Sequence, residues 1–421
     1  MKNDAVFQML SEYGKHVSFL KSGVLSQTWE AREKAFTFNA TLGEARTQGG
    51  PMYLHALAEI FGGQGPESYF PYTQPGGLPE LRALWKERVL KEDPGMPPES
   101  LSTPVTVAGM THGLSLIGEL FLDPGDPVIL HDKHWENYEL IFGTRCGGKI
   151  HTYPTFRDNR FNVDGLKQTV AAVPGDKALV VLNFPNNPTG YMPDQQTAAQ
   201  IVQALKELAA SGKKLTVLCD DAYFGFFYDP GCARESLFGQ LTGCHPNLLA
   251  VRLDGATKSY FAGGFRLGFL TYGGQAPEDL AELERKTIGA VRISVSSCSR
   301  FAQIALLRCL TDPEIAGELE GYHQQINARG RLAMAFCAKG SEKGLWKAYP
   351  FGAGYFFCIH VQADSEALRQ HLLNKYGIGI ISLGSGDIRA ALLCMEESQI
   401  RQLFQVLDLA ISEIMSTKEA F

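Results

Sequence analysis

Between residues 105 and 270 short apolar runs alternate with longer amphipathic stretches, and this rhythm constrains the fold more than any other feature of the chain. Val105-Thr-Val, Pro127-Val-Ile-Leu130, Lys177-Ala-Leu-Val-Val-Leu-Asn183, Leu215-Thr-Val-Leu-Cys-Asp220 and Leu248-Leu-Ala-Val-Arg-Leu253 each read as a strand. Near-continuous apolar runs, rather than alternating ones, mark strands covered on both faces. Helical spacing lies between them, most clearly over 195–210, closed by Ser211-Gly212. Strand, helix and strand in turn give βαβ units, a parallel sheet and an α/β fold. Towards the C-terminus the rhythm changes to strands over 354–361, 378–382 and 388–395 with helices over 365–376 and 399–415, a separate α+β unit. The expected division is an N-terminal arm with part of the small domain over 1–50, a large domain over 51–300 and a small C-terminal domain over 301–421.

A chain of 421 residues, 45% of them hydrophobic, can bury one large core and a second smaller one. The net charge of -6 is mild and unblocked, which argues against a nucleic-acid or anionic-membrane partner. Nine cysteines without a C-x-x-C pair, most of them in apolar runs such as those of Cys219, Cys358 and Cys394, read as buried thiols in a reducing compartment. Met1-Lys-Asn-Asp-Ala opens no signal-peptide apolar region, and no run is long enough to span a bilayer, so a soluble cytoplasmic protein is expected. There is no P-loop, no strand-linked G-x-G-x-x-G and no H-E-x-x-H.

Several residues carry potential chemistry. Lys258 stands among small residues between Leu248–Leu253 and Phe265–Leu270, both read as strands. Desolvation there disfavours an ammonium and favours a nucleophilic amine, whereas a lone lysine otherwise reads as a solvated loop residue. Arg266 reads as a cation within an apolar strand, and Arg389 likewise, each needing an anion. Val107-Ala-Gly109-Met110-Thr111 is a strand, a glycine turn and a helix start, which presents free N–H groups to a phosphate. Trp135 follows a strand's C-terminal end, the edge where open α/β sheets bind ligands, and core packing is the alternative. His131 and His134 read as solvated loop histidines rather than metal ligands, because no third ligand is near. Asp220 ends a strand, as a cap or as the anion for a cationic ligand atom. Residues 1–35 read as polar helix without legible chemistry, Asn39–Arg46 as a glycine-interrupted turn, and 52–61 as a helix.

Asn183-Phe-Pro-Asn-Asn187-Pro-Thr-Gly190, Asp220-x-x-Tyr223, Lys258 and Arg266 resemble, in order and spacing, the class I/II aminotransferases, pyridoxal phosphate enzymes of fold type I. The resemblance runs from about residue 39 to 395. It implies a large domain with a mostly parallel seven-stranded sheet flanked by helices, a smaller α+β domain, and pyridoxal 5'-phosphate as cofactor. It further implies that Lys258 forms the Schiff base and moves protons, and that Asp220 faces the pyridine nitrogen. Tyr223 and Asn187 then bond the ring's phenolic oxygen, and Trp135 stacks on the ring. Met110, Thr111 and Arg266 hold the phosphate. Arg389 clamps the substrate α-carboxylate, and Tyr72 reaches the phosphate of a neighbouring subunit in a homodimer. Trp135-Glu-Asn137, the loop from Asn39 with Gly43 near the substrate, and Arg292 at 34 residues after Lys258 resemble the aspartate aminotransferase branch, where such an arginine takes a distal carboxylate.

The chain departs from that pattern at two places. Gly255 stands where the family usually has a serine donating to the phosphate, with Thr257 as a substitute donor, and Ile293 to Val295 replace a Pro and a Tyr-Ser-Asn run. The expected reaction is amino transfer from an amino acid to a 2-oxo acid, with Asp and Glu as candidate substrates. Elimination and decarboxylation use the same residues, because the cofactor stabilises any Cα carbanion. A non-catalytic binding module would need a basic DNA-binding extension, which the residues before Asn39 do not supply.

Overall fold

A computed structural model of the protein describes residues 24–41, 45–47, 50–55 and 70–418. Its central sheet has seven strands: β1 (Val105–Val107), β2 (Pro127–His131), β3 (Lys149–Tyr153), β4 (Lys177–Asn183), β5 (Lys214–Asp220), β6 (Leu248–Gly255) and β7 (Gly268–Gly273). Their order is β1-β7-β6-β5-β4-β2-β3. Strands β6, β5, β4, β2 and β3 are mutually parallel, and β7 alone runs antiparallel to both of its neighbours.

The period of two along each strand explains the continuous apolar runs. On β4, Val180 and Leu182 face one core with the helices Pro79–Glu92, Val163–Ala172 and Gln195–Ala210, while Leu179 and Val181 face another with Met110–Phe121 and Pro277–Ser294. The helices start where the sequence supplies caps. Asn162 accepts from the Gly165 N–H, Asp194 from Thr197, and Pro79 occupies a first-turn position that needs no N–H.

A second, four-stranded antiparallel sheet contains β8 (Trp346–Ala348), β9 (Phe356–Val361), β10 (Ile381–Gly384) and β11 (Asp387–Ala391), in the order β8-β9-β11-β10. Its core takes in Leu368, Leu372, Leu403 and Leu407 from the last two helices, and also Phe38, Ala40 and Met52 from the N-terminal arm. The arm is tied in by backbone: Phe38 and Asn39 pair in parallel with Ile378 and Gly379, and the Ala391 N–H donates to Ala40 O. Helix Pro313–Lys339 joins the two cores, with Ile315 in the first and Ile326 and Ala333 in the second.

Several boundaries differ from the sequence reading. Helix Pro277–Ser294 continues through Val291-Arg-Ile-Ser, which alternates like a strand, because Val291 is fully buried on the face already formed by Leu280 and Thr287. Strand β3 and helices Val163–Ala172 and Arg300–Thr311 were not expected. The strand expected over 388–395 stops at Ala391 and turns into a short 3₁₀ segment, Leu392–Cys394. The helix expected over 52–61 lies mostly outside the described residues.

Gly190 joins the two sheets at one point. It has φ 76°, and a Cβ there would lie 2.1 Å from Phe356 O and 3.0 Å from Ala353 O. Both atoms are backbone and neither can yield cheaply. Gly190→Ala is expected to lower the unfolding free energy by on the order of 2–4 kcal/mol. Urea denaturation of the cofactor-free protein reads this, and a loss under about 0.5 kcal/mol rules the close approach out.

Candidate active site

The C-terminal ends of β2, β4, β5 and β6 open into a cavity of about 430 Å³ roofed by β9, β11 and the helix Val24–Lys34. Met110, Thr111, Trp135, Asn187, Asp220, Tyr223, Lys258, Arg266 and Arg389 all line it. Lys258 is half-buried in a four-residue helical turn directly after β6. Its Nζ lies 5.8 Å from the Tyr223 ring centre and 5.5 Å from that of Tyr355, whose hydroxyl donates to Lys258 O at 3.0 Å.

Asp220 is the last residue of β5 and is buried. Burial pushes its carboxyl up, the Tyr138 hydroxyl (2.6 Å) and the Ala222 N–H (3.1 Å) pull it back, and it settles at about 6. Asn183, at the equivalent end of β4, donates from Nδ2 to Asp220 O and accepts from the Asn187 N–H. Adjacent strand ends are thereby laced together below the cavity.

Arg389 is buried on β11. Its Nη1 donates to Asn187 Oδ1 at 3.1 Å, its Nη2 to Thr41 O at 3.2 Å, and its Cζ lies 4.4 Å from the Phe356 ring centre. Its Nε has no hydrogen-bond acceptor, and no carboxylate pairs with it among the described residues. Burial lowers its pKa.

At the other end Gly109, with φ 80°, caps the helix Met110–Phe121 without any side-chain acceptor for the first-turn N–H groups. The Arg266 guanidinium packs on Gly109, so a Cβ there would meet Arg266 Nη2 at 2.3 Å. The strand expected around Arg266 is corrected. Arg266 precedes β7 in a left-handed turn (φ 52°, ψ 55°), is exposed, and donates to Gly263 O. Its charge is aimed by that turn and by Gly109, not by burial in a sheet.

The departure at Gly255 has a steric cause. A Cβ at 255 would stand 2.7 Å from both Gly268 Cα and Leu267 O, so a serine does not fit against β7. Thr257 lines the cavity instead, and its Oγ1 is buried without a partner.

Two expected site residues lie elsewhere. Tyr72 is 92% exposed and Arg292 is exposed in the last helical turn of Pro277–Ser294, and neither lines this cavity. Gly43 is outside the described residues. His131 is not a solvated loop residue: it ends β2 fully buried against Thr155, with its pKa driven down to about 3 by burial. Three contributors were missed. Tyr138 had no role beyond closing the Trp135 segment, and Thr28 and Arg32 line the cavity from a helix read as featureless. Spacing was the available signal, since Tyr138 lies one helical turn past Trp135, and Thr28 and Arg32 lie one turn apart.

The chain belongs to the class I and II aminotransferases, whose family model matches residues 54–407. It is similar to a probable aspartate/prephenate aminotransferase of Thermus aquaticus, 30% identical over 58% of this chain and 57% of that protein. It is also similar to an aspartate aminotransferase of Pyrococcus horikoshii, 24% identical over 81% of this chain and 83% of that one. The fold matches an aminotransferase from Anaerococcus prevotii with TM-score 0.82 at 22% identity, covering 96% of this chain and 99% of the other. Enzymes of this family use pyridoxal 5'-phosphate. The residues here fit that group: an uncapped helix N-terminus with a cation on its glycine, a buried carboxyl beyond, and a lysine between. Among the described residues there is no metal-binding cluster and no helix long and apolar enough to cross a membrane.

The Asp220 carboxyl gives a signed pH prediction. Its folded pKa of about 6 exceeds the ordinary 3.8, so the folded state binds its proton more tightly than the unfolded chain does. The resulting penalty is absent below pH 3.8, grows up to about pH 6, and is constant above, at on the order of 3 kcal/mol. Asp220→Asn is therefore expected to raise the Tm of the cofactor-free protein at pH 8 and to lose that advantage near pH 4. Equal Tm gains at both pH values rule the raised pKa out.

Proposed function

We propose that this chain is an aminotransferase that moves the amino group of an amino acid to a 2-oxo acid at the Lys258 cavity, acting in the cytoplasm as a homodimer. The observation that carries the reading is a buried arginine that pairs with no carboxylate among the described residues, Arg389, lining the same cavity as Lys258 and Asp220. Bound pyridoxal phosphate supplies an electron sink for the pair left when the substrate Cα–H bond breaks.

The chain's own residues supply the rest. The first-turn N–H groups at Met110 and Thr111, the Arg266 guanidinium and the Thr257 hydroxyl bind the phosphate. Asp220, held by Tyr138, would take the ring nitrogen and keep it protonated, and that cation would lower the carboxyl's pKa in return. Tyr223 and Asn187 would bond the ring's phenolic oxygen, and Trp135 would pack on the ring. Lys258 would hold the cofactor, and its amine would take the proton from the substrate Cα. Arg389 binds the α-carboxylate through its unpartnered Nε and an Nη, a paired geometry that lysine cannot reproduce. We take residues 51–300 as the unit that holds the cofactor, and 301–421 with the arm 1–50 as the unit that brings Arg389 over it.

Aspartate and glutamate enter the proposal through Arg292. Arg292 and Tyr72 are exposed and do not line the Lys258 cavity, so in this reading both act in the site of a second copy. Gly43 is the further residue proposed to lie near the substrate. The similar Thermus and Pyrococcus proteins, a probable aspartate/prephenate aminotransferase and an aspartate aminotransferase, support this substrate class.

Borohydride treatment of the cofactor-loaded protein is expected to fix the cofactor covalently on Lys258, as peptide mapping reads. Arg389→Ala is expected to lower kcat/KM for aspartate, glutamate, alanine and phenylalanine together, by on the order of 2–5 kcal/mol of transition-state binding. Arg292→Ala is expected to lower it for the two acidic substrates alone. Labelling on another residue, ammonia or carbon dioxide in place of a new amino acid, or an unchanged Arg389→Ala enzyme each overturns the reading.

A further inference from the structure

We propose that Lys133 and Asp387 form a clasp across the cleft that sets Arg389 against Trp135, making both of them positioning residues for the α-carboxylate site. The inference rests on the assignment of Arg389 to the α-carboxylate.

Lys133 lies in the loop after β2, two residues before Trp135. Asp387 opens β11, two residues before Arg389. Residues two apart on a strand share a face, so Asp387 and Arg389 project to the same side of β11. There Lys133 Nζ meets Asp387 Oδ2 at 2.5 Å, with the two side chains 21% and 4% exposed. The other carboxylate oxygen is already taken, by the Tyr349 hydroxyl at 2.9 Å and by His360 Nδ1 at 2.8 Å. Lys133 Nζ also lies 5.2 Å from the Tyr349 ring centre, and that ring stacks on Phe156 at 5.6 Å. A cation and an aromatic ring from the first sheet's side therefore meet a carboxylate and an aromatic ring from the second.

The clasp supplies something Arg389 lacks. Among the described residues Arg389 reaches across the cleft to one neutral acceptor, Asn187 Oδ1, while its other bond, to Thr41 O, stays within its own unit. The ion pair two residues away is charge-assisted and largely desolvated, and such a pair is both stronger and more directional. Lys133, Trp135, Asp387 and Arg389 all line one groove of about 750 Å³, and through Trp135 and Arg389 that groove meets the cavity of Lys258. A carboxylate that must touch Arg389 while its Cα lies beside Lys258 needs these two walls in register.

The test uses the cofactor-loaded full chain with Lys133→Met, Lys133→Arg and Asp387→Asn. For Lys133→Met we expect KM for aspartate, alanine and phenylalanine to rise by a shared factor of about ten, with kcat within about twofold. Binding of 2-aminoisobutyrate, which offers an α-carboxylate but no Cα–H, should weaken by the same factor in a spectral titration of the bound cofactor. Cofactor content should stay at the wild-type value, Tm should fall because Asp387 is left buried without its cation, and Lys133→Arg should restore both Tm and KM. Should Asp387→Asn fail to fold, Lys133→Met alone decides. Wild-type KM in Lys133→Met, or a KM rise that only follows lost cofactor, overturns the clasp. Arg389→Ala run in parallel separates the two assignments. If it weakens every substrate while Lys133→Met does not, the clasp alone falls. If it weakens none, the α-carboxylate assignment and the clasp fall together.

Discussion

Below the cavity floor Arg252, 1% exposed, is enclosed by four carboxylates, and the geometry of the site depends on how they share its charge. Its Nη2 pairs with Glu92 at 2.5 Å, and its Nε lies 3.0 Å from Asp221 Oδ2 and 3.1 Å from Asp254 Oδ2, contacts of charge whose N–H points along neither line. Asp221 follows Asp220 at the end of β5, and Asp254 precedes Lys258 by four residues at the end of β6. One guanidinium thus holds the two strand ends that carry the cavity's carboxylate and its lysine. Arg88, on the rings of Trp85 and Tyr260, is the second cation of the group, and the Trp85 Nε1–H donates to Asp254.

Four acids face two guanidinium groups in a place where unmatched charge is costly. Burial pushes Asp221 well up, Asp254 up and Asp93 to about 6, while Arg252 and Arg88 outweigh burial at Glu92 and keep it low. Removing Arg252 would leave the acids without their common partner, a far larger loss than that of a surface ion pair.

The parts of the site that were legible in the sequence sit where apolar runs stop. Asp220 ends a strand and Asn187, Trp135 and Lys258 each follow one, and a polar group at such a place has few reasons to be there. The continuous apolar runs foretold a sheet covered on both faces, and β4 shows the alternation that makes it so. Arg266 misled because nothing in Phe-Arg-Leu signals a left-handed backbone, a conformation set here by its close packing on Gly109. His131 misled because a histidine next to Asp and Lys looks solvated, while Thr155, 24 residues on, encloses it. Lys133 and Asp387 are 254 residues apart, and no local pattern links them. Tyr72 and Arg292 are exposed in a single protomer for a different reason in the proposed reading, namely that the surface they complete belongs to a second copy.

The cavity's charges also constrain what can fill it. Lys258, Arg266, Arg389 and, at the roof, Arg32 are basic, whereas Asp220 is the sole acid among the described residues of its lining. Asp220 is itself reluctant to ionise, so the protein alone presents a cavity biased to positive charge. A ligand that completes it must bring anions to two separate places, one at the helix N-terminus with Arg266 and one at Arg389. It must also bring a cation to Asp220, deep between them, because only a positive partner repays the desolvation of that carboxylate. A simple dicarboxylate supplies the anions but no cation, and an amino acid alone supplies one anion and an ammonium too close to it. In the proposed reading pyridoxal phosphate would supply the first anion and the cation, and an amino-acid substrate beside it would supply the second anion to Arg389.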